Sequence, residues 1–261
     1  MQIALLISTY NWPESLDLVL KSLIKQTLLP NEILIADDGS TEQTKKLIVD
    51  FQNKSTIPIK HFWQEDLGFR KSKILNKALA GSISEYIIQI DGDCIMHSRF
   101  IEDHVRFASK GVYLYGSRVN ILPQFVPNIF QSKKIKFNFF SKEIKNKTRN
   151  LHFPFLSNLY RSHNGISKKF RGCNVSYWRE DFIEVNGYNQ DFEGWGREDS
   201  DLVIRIGNKG IKAKRLRYAG IIYHIHHKVN SKHNFELNDR MQNKTILNKI
   251  IKIENGVSQY L

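Results

Sequence analysis

The 261-residue chain carries 39 Lys and Arg against 26 Asp and Glu, a net charge of +13, with 41% hydrophobic and 11% aromatic residues. This content excludes a disordered chain and suits one large α/β domain, or one domain with a substantial insertion, around a sizeable core. The basic balance calls for an acidic partner, whether nucleic acid, an anionic membrane surface or a phosphorylated substrate, without choosing among them. Cys94 and Cys173 form neither a CxxC pair nor a disulfide framework, as in a reducing cytosol. The apolar start at 3–7 is too short for a signal-peptide core, and no later run reaches about 18 apolar residues, so a soluble or peripherally attached protein is expected.

In chain order, residues 3–8 are a β-branched run expected to form a strand, with Thr9 and Asn11 at its carboxyl end. Pro13 then opens a helix with apolar residues at Leu16, Leu20, Leu23 and Ile24. Further strands are expected over 32–36, 58–63 and 85–90. Strands alternating with helices predict a parallel sheet, in which ligands gather at the carboxyl ends of the strands. Three polar clusters should therefore converge on one crevice: Thr9 with Asn11, Asp37-Asp38-Gly39-Ser40, and Asp91-Gly92-Asp93.

Asp37 and Asp38 open a turn into a helix beginning near Thr41. A cap-and-turn role is one reading; acceptance of hydrogen bonds from a base or ribose is the other. Asp91-Gly92-Asp93 sets two carboxylates on one face of a strand end, with a glycine permitting close backbone approach. Such a pair is a hard-cation site or a tight Asp-Gly turn. Mg²⁺ or Mn²⁺ held by one or two carboxylates completes its shell with water and substrate phosphates, which a nucleotide diphosphate supplies.

From about 121 to 171 the rhythm breaks. Residues 131–171 hold eleven Lys or Arg against one acid, Glu143, a net of +10, interleaved with Phe137, Phe139, Phe140, Phe153, Phe155 and Tyr160. An insertion or mobile loop meeting a phosphorylated or membrane surface is expected, the alternative being a solvated loop over a satellite apolar cluster. Regular structure should resume near Gly172, with helices over 177–185, after Glu198, and over 234–253. In Gly194-Trp195-Gly196-Arg197-Glu198-Asp199 two glycines expose a flat ring suited to a sugar's apolar face. Glu198 and Asp199 enter a helix whose N-terminal dipole favours negative charge. One carboxylate could take a proton from an acceptor hydroxyl while the other orients that sugar; the alternative is an acidic helix start with a core Trp. The run Tyr223-His224-Ile225-His226-His227 ends a strand-like stretch, placing His224 and His226 on one face if the strand continues, where a metal ligand fits. Zinc is an alternative there, although no Cys or carboxylate lies at matching local spacing.

These clusters, in this order, resemble glycosyltransferase family 2 proteins of GT-A fold, through Ser8-Thr9-Tyr10-Asn11, Ala36-Asp37-Asp38-Gly39-Ser40 and Asp91-Gly92-Asp93. Arg171-Gly172-Cys173-Asn174-Val175-Ser176 and the Gly194–Asp199 segment are similar to the carboxyl-terminal galactosyltransferase region shared by bacterial chondroitin polymerases and animal β-1,4-galactosyltransferases. Residues 69–76, Phe-Arg-Lys-Ser-Lys-Ile-Leu-Asn, resemble a donor-binding stretch of the latter, with Leu75 where the family often has Arg.

The resemblance implies a mostly parallel α/β sheet flanked by helices, with a basic insertion and a C-terminal helical tail. The transferase domain would span 1–227, as a nucleotide-sugar half (1–115), the insertion (116–171) and an acceptor-binding, catalytic half (172–227), followed by a tail over 228–261. It implies an inverting, metal-dependent hexosyltransferase that moves a hexose or N-acetylhexosamine from a UDP-sugar to a saccharide or lipid-linked saccharide. The setting would be bacterial capsule, lipopolysaccharide or other surface polysaccharide synthesis at the inner face of the cytoplasmic membrane, with no nucleic-acid partner.

By the same resemblance Thr9 and Asn11 belong to the donor site, Asp37 or Asp38 contacts uracil, and Asp91 meets the ribose or reaches the metal through water. Asp93 and His224 ligate Mn²⁺, or Mg²⁺, with Asp91 and His226 as second choices. Arg70 and Lys73 face the donor, Trp195 and Glu198 the acceptor, and Asp199 is the base. Two other classes fit the composition less well. A sugar-phosphate nucleotidylyltransferase would need an early Gly-rich loop with Arg and Lys nearby, and a basic nucleic-acid-binding protein would need a finger, RNP-like or helix-turn-helix signature.

Overall fold

A computed structural model describes residues 1–227 and 234–261. The run Ile3–Thr9 (β1) is buried along its whole length. Continuous apolar strands are what a sheet covered by helices on both faces requires. β1 pairs in parallel with Glu32–Asp37 (β2), which pairs in parallel with Ile59–Trp63 (β3); on its other side β1 pairs in parallel with Tyr86–Asp91 (β4). Cys94–Met96 (β5) follows β4 at once. The large sheet is completed by Val112–Tyr115 (β6), Asn174–Trp178 (β9) and Lys212–Arg215 (β10), in the order β10-β6-β9-β4-β1-β2-β3. A four-stranded sheet joins β5 to Ser117–Ile121 (β7), Ile144–Lys145 (β8) and Ile221–His224 (β11).

The side-chain alternation of a strand divides β1 between two cores. Ile3, Leu5 and Ile7 meet Leu16, Val19 and Leu23 of Pro13–Leu23 (α1), Ile48 of Glu42–Gln52 (α2) and Phe100 of Phe100–Phe107 (α4). Ala4 and Leu6 face Ile74, Leu75 and Leu79 of Lys71–Ala80 (α3), Phe182 of Arg179–Glu184 (α6) and Leu202, Val203 and Ile206 of Glu198–Asn208 (α7). The sheet is thus covered on both sides.

The basic stretch 131–171 begins in the last turn of Val126–Ser132 (α5) and is tied down by its apolar residues. Phe137 and Ile144 are buried with Ile129 of α5, Val119, Ile221 and Tyr223 in a third cluster, and the Tyr223 hydroxyl donates to Asn150 at 2.7 Å. Among the described residues, no helix is long and apolar enough to cross a membrane.

Two elements differ from expectation. Residues 174–178 form a strand, and helix begins only at Arg179. Val175 and Tyr177 alternate into one core, while Asn174 and Ser176 are buried on the other face because His104 binds both, at 3.0 and 2.7 Å. Buried polar residues disguised the two-residue period. The C-terminal helix, Phe235–Leu247 (α8), stops six residues short of the expected end, where the Asn208 amide donates to the Ile250 carbonyl at 2.8 Å. The first six residues of the expected tail, 228–233, lie outside the described residues.

Helix α7 is anchored by a buried ion pair. Arg205 Nε donates to Asp201 Oδ2 at 2.8 Å, its two terminal nitrogens donate to the Val185 and Gly187 carbonyls at 2.7 Å, and Thr245 of α8 donates to Asp201 Oδ1 at 2.7 Å. Both charged side chains are fully buried. Removing one partner strands the other charge away from water, a loss of about 3–5 kcal/mol. Asp201→Ala should therefore lower the urea midpoint by that equivalent with an unchanged slope. A midpoint within experimental error of wild type would contradict the assignment.

Candidate active site

The carboxyl ends of β1, β2 and β4 meet at a cavity of about 420 Å³. After β1, Asn11 turns the chain at φ 43°; its N–H donates to Ser40 Oγ and its side-chain oxygen accepts from the Thr41 N–H, both at 2.8 Å, stapling the first loop to the second. Thr9 and Asn11 line the cavity.

The two carboxylates after β2 take different roles. Asp37 is fully buried, accepts from the Ser40 N–H at 2.8 Å and lies 3.0 Å from His61 Nε2. Its place is in the turn, and it does not line the cavity. Asp38 does, accepting from Gln64 Nε2 at 2.5 Å and from the Arg70 N–H at 2.8 Å. Burial raises its carboxyl above the ordinary range against those two hydrogen bonds.

After β4, Asp91 accepts from Ser8 Oγ at 2.7 Å and from Lys71 Nζ at 2.9 Å. Lys71 also reaches Asp199 Oδ2 at 3.4 Å, so one ammonium joins the strand-end carboxylate to the start of α7. Burial works against that charge, but Asp199, Asp91 and Glu198 outweigh it and hold the lysine firmly protonated. Arg70 and Lys73, expected at the donor, line a neighbouring cavity instead. The reason is helical phase. Lys71, Ile74, Leu75 and Ala78 share the stripe that faces the sheet, and Lys71 extends that stripe into the crevice. That spacing was the signal that identifies Lys71.

Asp93 lies 3.4 Å from His224 Nε2 and 3.1 Å from His227 Nε2, and the ligand-capable atoms of all three lie within 4.8 Å of one another. Burial opposes ionisation of Asp93, yet the His227 hydrogen bond and neighbouring His224 bring its carboxyl below the ordinary value. Burial lowers His224, which favours the neutral imidazole a metal needs. His226 is exposed. The strand ends at His224, the Ile225 N–H bonds the Asp93 carbonyl at 2.9 Å, and the irregular chain beyond it brings His227 beside Asp93 where a continued strand would have presented His226. One carboxylate and two imidazoles at this separation fit a divalent cation with open positions for substrate.

On the opposite segment, Gly194 and Gly196 take φ of 73° and 111°, and Arg197 takes 79°. A Cβ at Gly196 would lie 3.0 Å from the Phe235 ring. The half-buried Trp195 stacks on Phe235 with centroids 6.3 Å apart and planes at 22°, and lines the cavity. Glu198 accepts from the Gly196 N–H at 3.0 Å; burial, then neighbouring Asp199, pushes its carboxyl up to about 7. Asp199 is also raised, by burial, with Lys71 opposing, and accepts from the Tyr188 hydroxyl at 3.2 Å. Gly172 is obligatory beside it, since a Cβ there would overlap the Asp199 carboxylate. Tyr188 was not singled out from the sequence, where it carries no local signature.

Residues 4–165 match the family model described as glycosyl transferase family 2, and residues 157–228 match the one described as the N-terminal domain of galactosyltransferase. The chondroitin synthase of Escherichia coli is 24% identical over 244 residues, covering 85% of this chain and 34% of that protein, so the chain spans about a third of that relative's length. The S. aureus TarS 1-349 structure in complex with UDP-GlcNAc superposes with a TM-score of 0.62 at 17% identity, covering 95% of this chain and 67% of that one. The mannosyltransferase PcManGT from Pyrobaculum calidifontis, solved with GDP-Man and Mn²⁺, gives 0.63 at 16% identity, covering 98% and 65%. The shared architecture is the GT-A fold.

Proposed function

The chain belongs to glycosyltransferase family 2, and from that premise we propose that it transfers a hexose or N-acetylhexosamine from a UDP-sugar to a saccharide acceptor with inversion, assisted by Mn²⁺ or Mg²⁺. The observation that carries this reading is that one cavity holds Asp38, Asp91 and Asp93 from the strand ends together with Trp195 and Asp199 from the start of α7. A nucleotide-sugar and an acceptor must meet in such a space.

Asp38 accepts hydrogen bonds from the nucleoside, and Asp91 from the ribose. Asp93, His224 and His227 would hold the cation, whose chemistry there is Lewis-acid neutralisation of the leaving diphosphate's charge. Trp195 stacks on the acceptor sugar and Glu198 orients it. Asp199 takes the proton from the acceptor hydroxyl as that oxygen bonds to the anomeric carbon. The bond to UDP breaks on the opposite face, its electron pair leaving on the diphosphate. Lys71 keeps the Asp91 and Asp199 carboxylates from repelling each other.

A hydrolysis and transfer screen across UDP-sugars with Mn²⁺ tests the donor. Release of UDP, stimulated by saccharide, is expected from at least one UDP-sugar. Turnover confined to a GDP-sugar would overturn the donor assignment.

The acceptor is proposed to be a saccharide or lipid-linked saccharide of a bacterial surface polysaccharide, met at the inner face of the cytoplasmic membrane. Support comes from the basic stretch, where Phe140, Phe155 and Leu159 are 85%, 65% and 76% exposed among exposed lysines. Lys133 and Lys134 are already paired, with Asp17 and Glu143, each at 2.7 Å. Lys145, Lys168 and Lys169 are the better probes. At about 1 kcal/mol per lysine near an anionic surface, changing all three to Gln should weaken binding to phosphatidylserine vesicles by roughly 10²-fold. Equal binding of wild type to neutral and anionic vesicles would refute the membrane role.

A further inference from the structure

A second cavity, of about 290 Å³, is not used by the reaction above. Its residues interleave with those of the active site. Arg70 and Ser72 flank Lys71, and Phe192 and Glu193 precede the Gly194 turn that carries Trp195.

The cavity has an excess of positive charge. Arg70 and Lys73 line it against the single carboxylate of Glu193, Lys77 follows one turn further along α3, and none of these three cations forms an ion pair among the described residues. Lys77 is lowered by its burial and then by Lys73 and Arg70, the mark of cations held near one another. Two donors are also unsatisfied. Arg70 Nε and Ser72 Oγ are buried without a hydrogen-bond partner, Ser72 being only 2% exposed. Unpaired buried donors are costly and are normally answered by a ligand or water. Ser72 lies in the first turn of a ten-residue helix, whose free N–H groups and dipole add to the positive field.

The rim narrows the kind of anion. Gln190, Asn255 and Gln259 offer amides suited to hydroxyl groups. The Glu193 carboxylate stands there too and disfavours a dianion such as phosphate.

We propose that this cavity binds the carboxylate of a uronic acid residue in the acceptor saccharide. Arg70 and Lys73 take the charge, Ser72 donates to it, and the amides meet the ring hydroxyls. The enzyme thereby selects acidic acceptors through a sugar next to the one that Trp195 holds. This rests on the transferase reading above.

The test is calorimetry on UDP-saturated protein with three probes: a disaccharide bearing glucuronate, its glucose counterpart, and inorganic phosphate. The acidic disaccharide should bind about tenfold more tightly than the neutral one, as one charge-assisted contact provides. Lys73→Gln should bring that ratio close to one, and Ser72→Ala, which removes only a hydroxyl, should reduce it. Both should leave the neutral disaccharide and UDP within about twofold. Equal binding of the two disaccharides to wild type would overturn the proposal, as would tightest binding of phosphate. Loss of UDP affinity in Lys73→Gln would place the lysine on the donor and overturn it equally. Absence of any UDP binding by wild type would instead fail the UDP-donor reading, and the same titration without UDP then decides the cavity.

Discussion

Asp199→Asn is expected to lower turnover by roughly 10²- to 10⁴-fold, the usual worth of a positioned general base, while UDP affinity hardly moves. The amide keeps the size of the carboxylate and can still accept from Tyr188, so the helix start should survive. What it cannot do is take a proton. The same assignment fixes the pH profile. Burial holds Asp199 above the ordinary carboxylate range and Glu198 at about 7. A base works only when ionised, so turnover should fall as pH is lowered through these raised values. Asp199→Asn should flatten that limb. If the variant loses UDP binding but keeps its turnover, the base is elsewhere, and Glu198 is the next candidate.

Chelation should abolish transfer, and Mn²⁺ should restore it. Asp93, His224 and His227 approach one another closely enough to share an ion, and among the described residues Lys71 is the one lysine or arginine lining the cavity that could balance a leaving diphosphate. His227→Ala should raise the Mn²⁺ concentration needed for half-maximal rate by at least roughly 10- to 100-fold, the loss that follows even when only the groups supporting a metal's ligands are changed. His226→Ala should leave it unchanged, because that ring faces solvent. Full activity in excess EDTA would end the metal proposal.

Much of the fold could be read because the buried parallel strands are mostly apolar runs, each closed by its polar cluster. β1, β2 and β4 end at Thr9, Asp37 and Asp91, where the motifs stand. Harder to read was anything decided by a neighbour. Asp37 and Asp38 are adjacent and alike, and only their partners in the fold, the Ser40 N–H and His61 on β3 for Asp37, show which one is consumed by the turn. Residues 174–178 conceal their alternation because His104, seventy residues earlier, makes a serine and an asparagine acceptable core residues. The choice between His226 and His227 depended on where β11 stops, which is at His224, one residue before the last backbone bond to Asp93. Lys71 shares the 71, 74, 75, 78 stripe, but the family resemblance of that segment draws attention to Arg70 and Lys73 instead.

The anchoring of α7 has a consequence for genetics. Within eight residues the helix carries two carboxylates that line the cavity, Glu198 and the proposed base Asp199, and an ion pair that holds it in place, Asp201 with Arg205. A saturation library across this stretch should sort into two phenotypes that alternate along the chain. Changes at 199 give cells full of inert enzyme, whereas changes at 201 or 205 give cells from which the enzyme has been cleared by proteolysis, some of them rescued by growth in the cold. Scored by transferase activity alone, the two kinds of allele are indistinguishable. Scored by cellular abundance as well, they separate, and only the abundant, silent alleles report on the reaction.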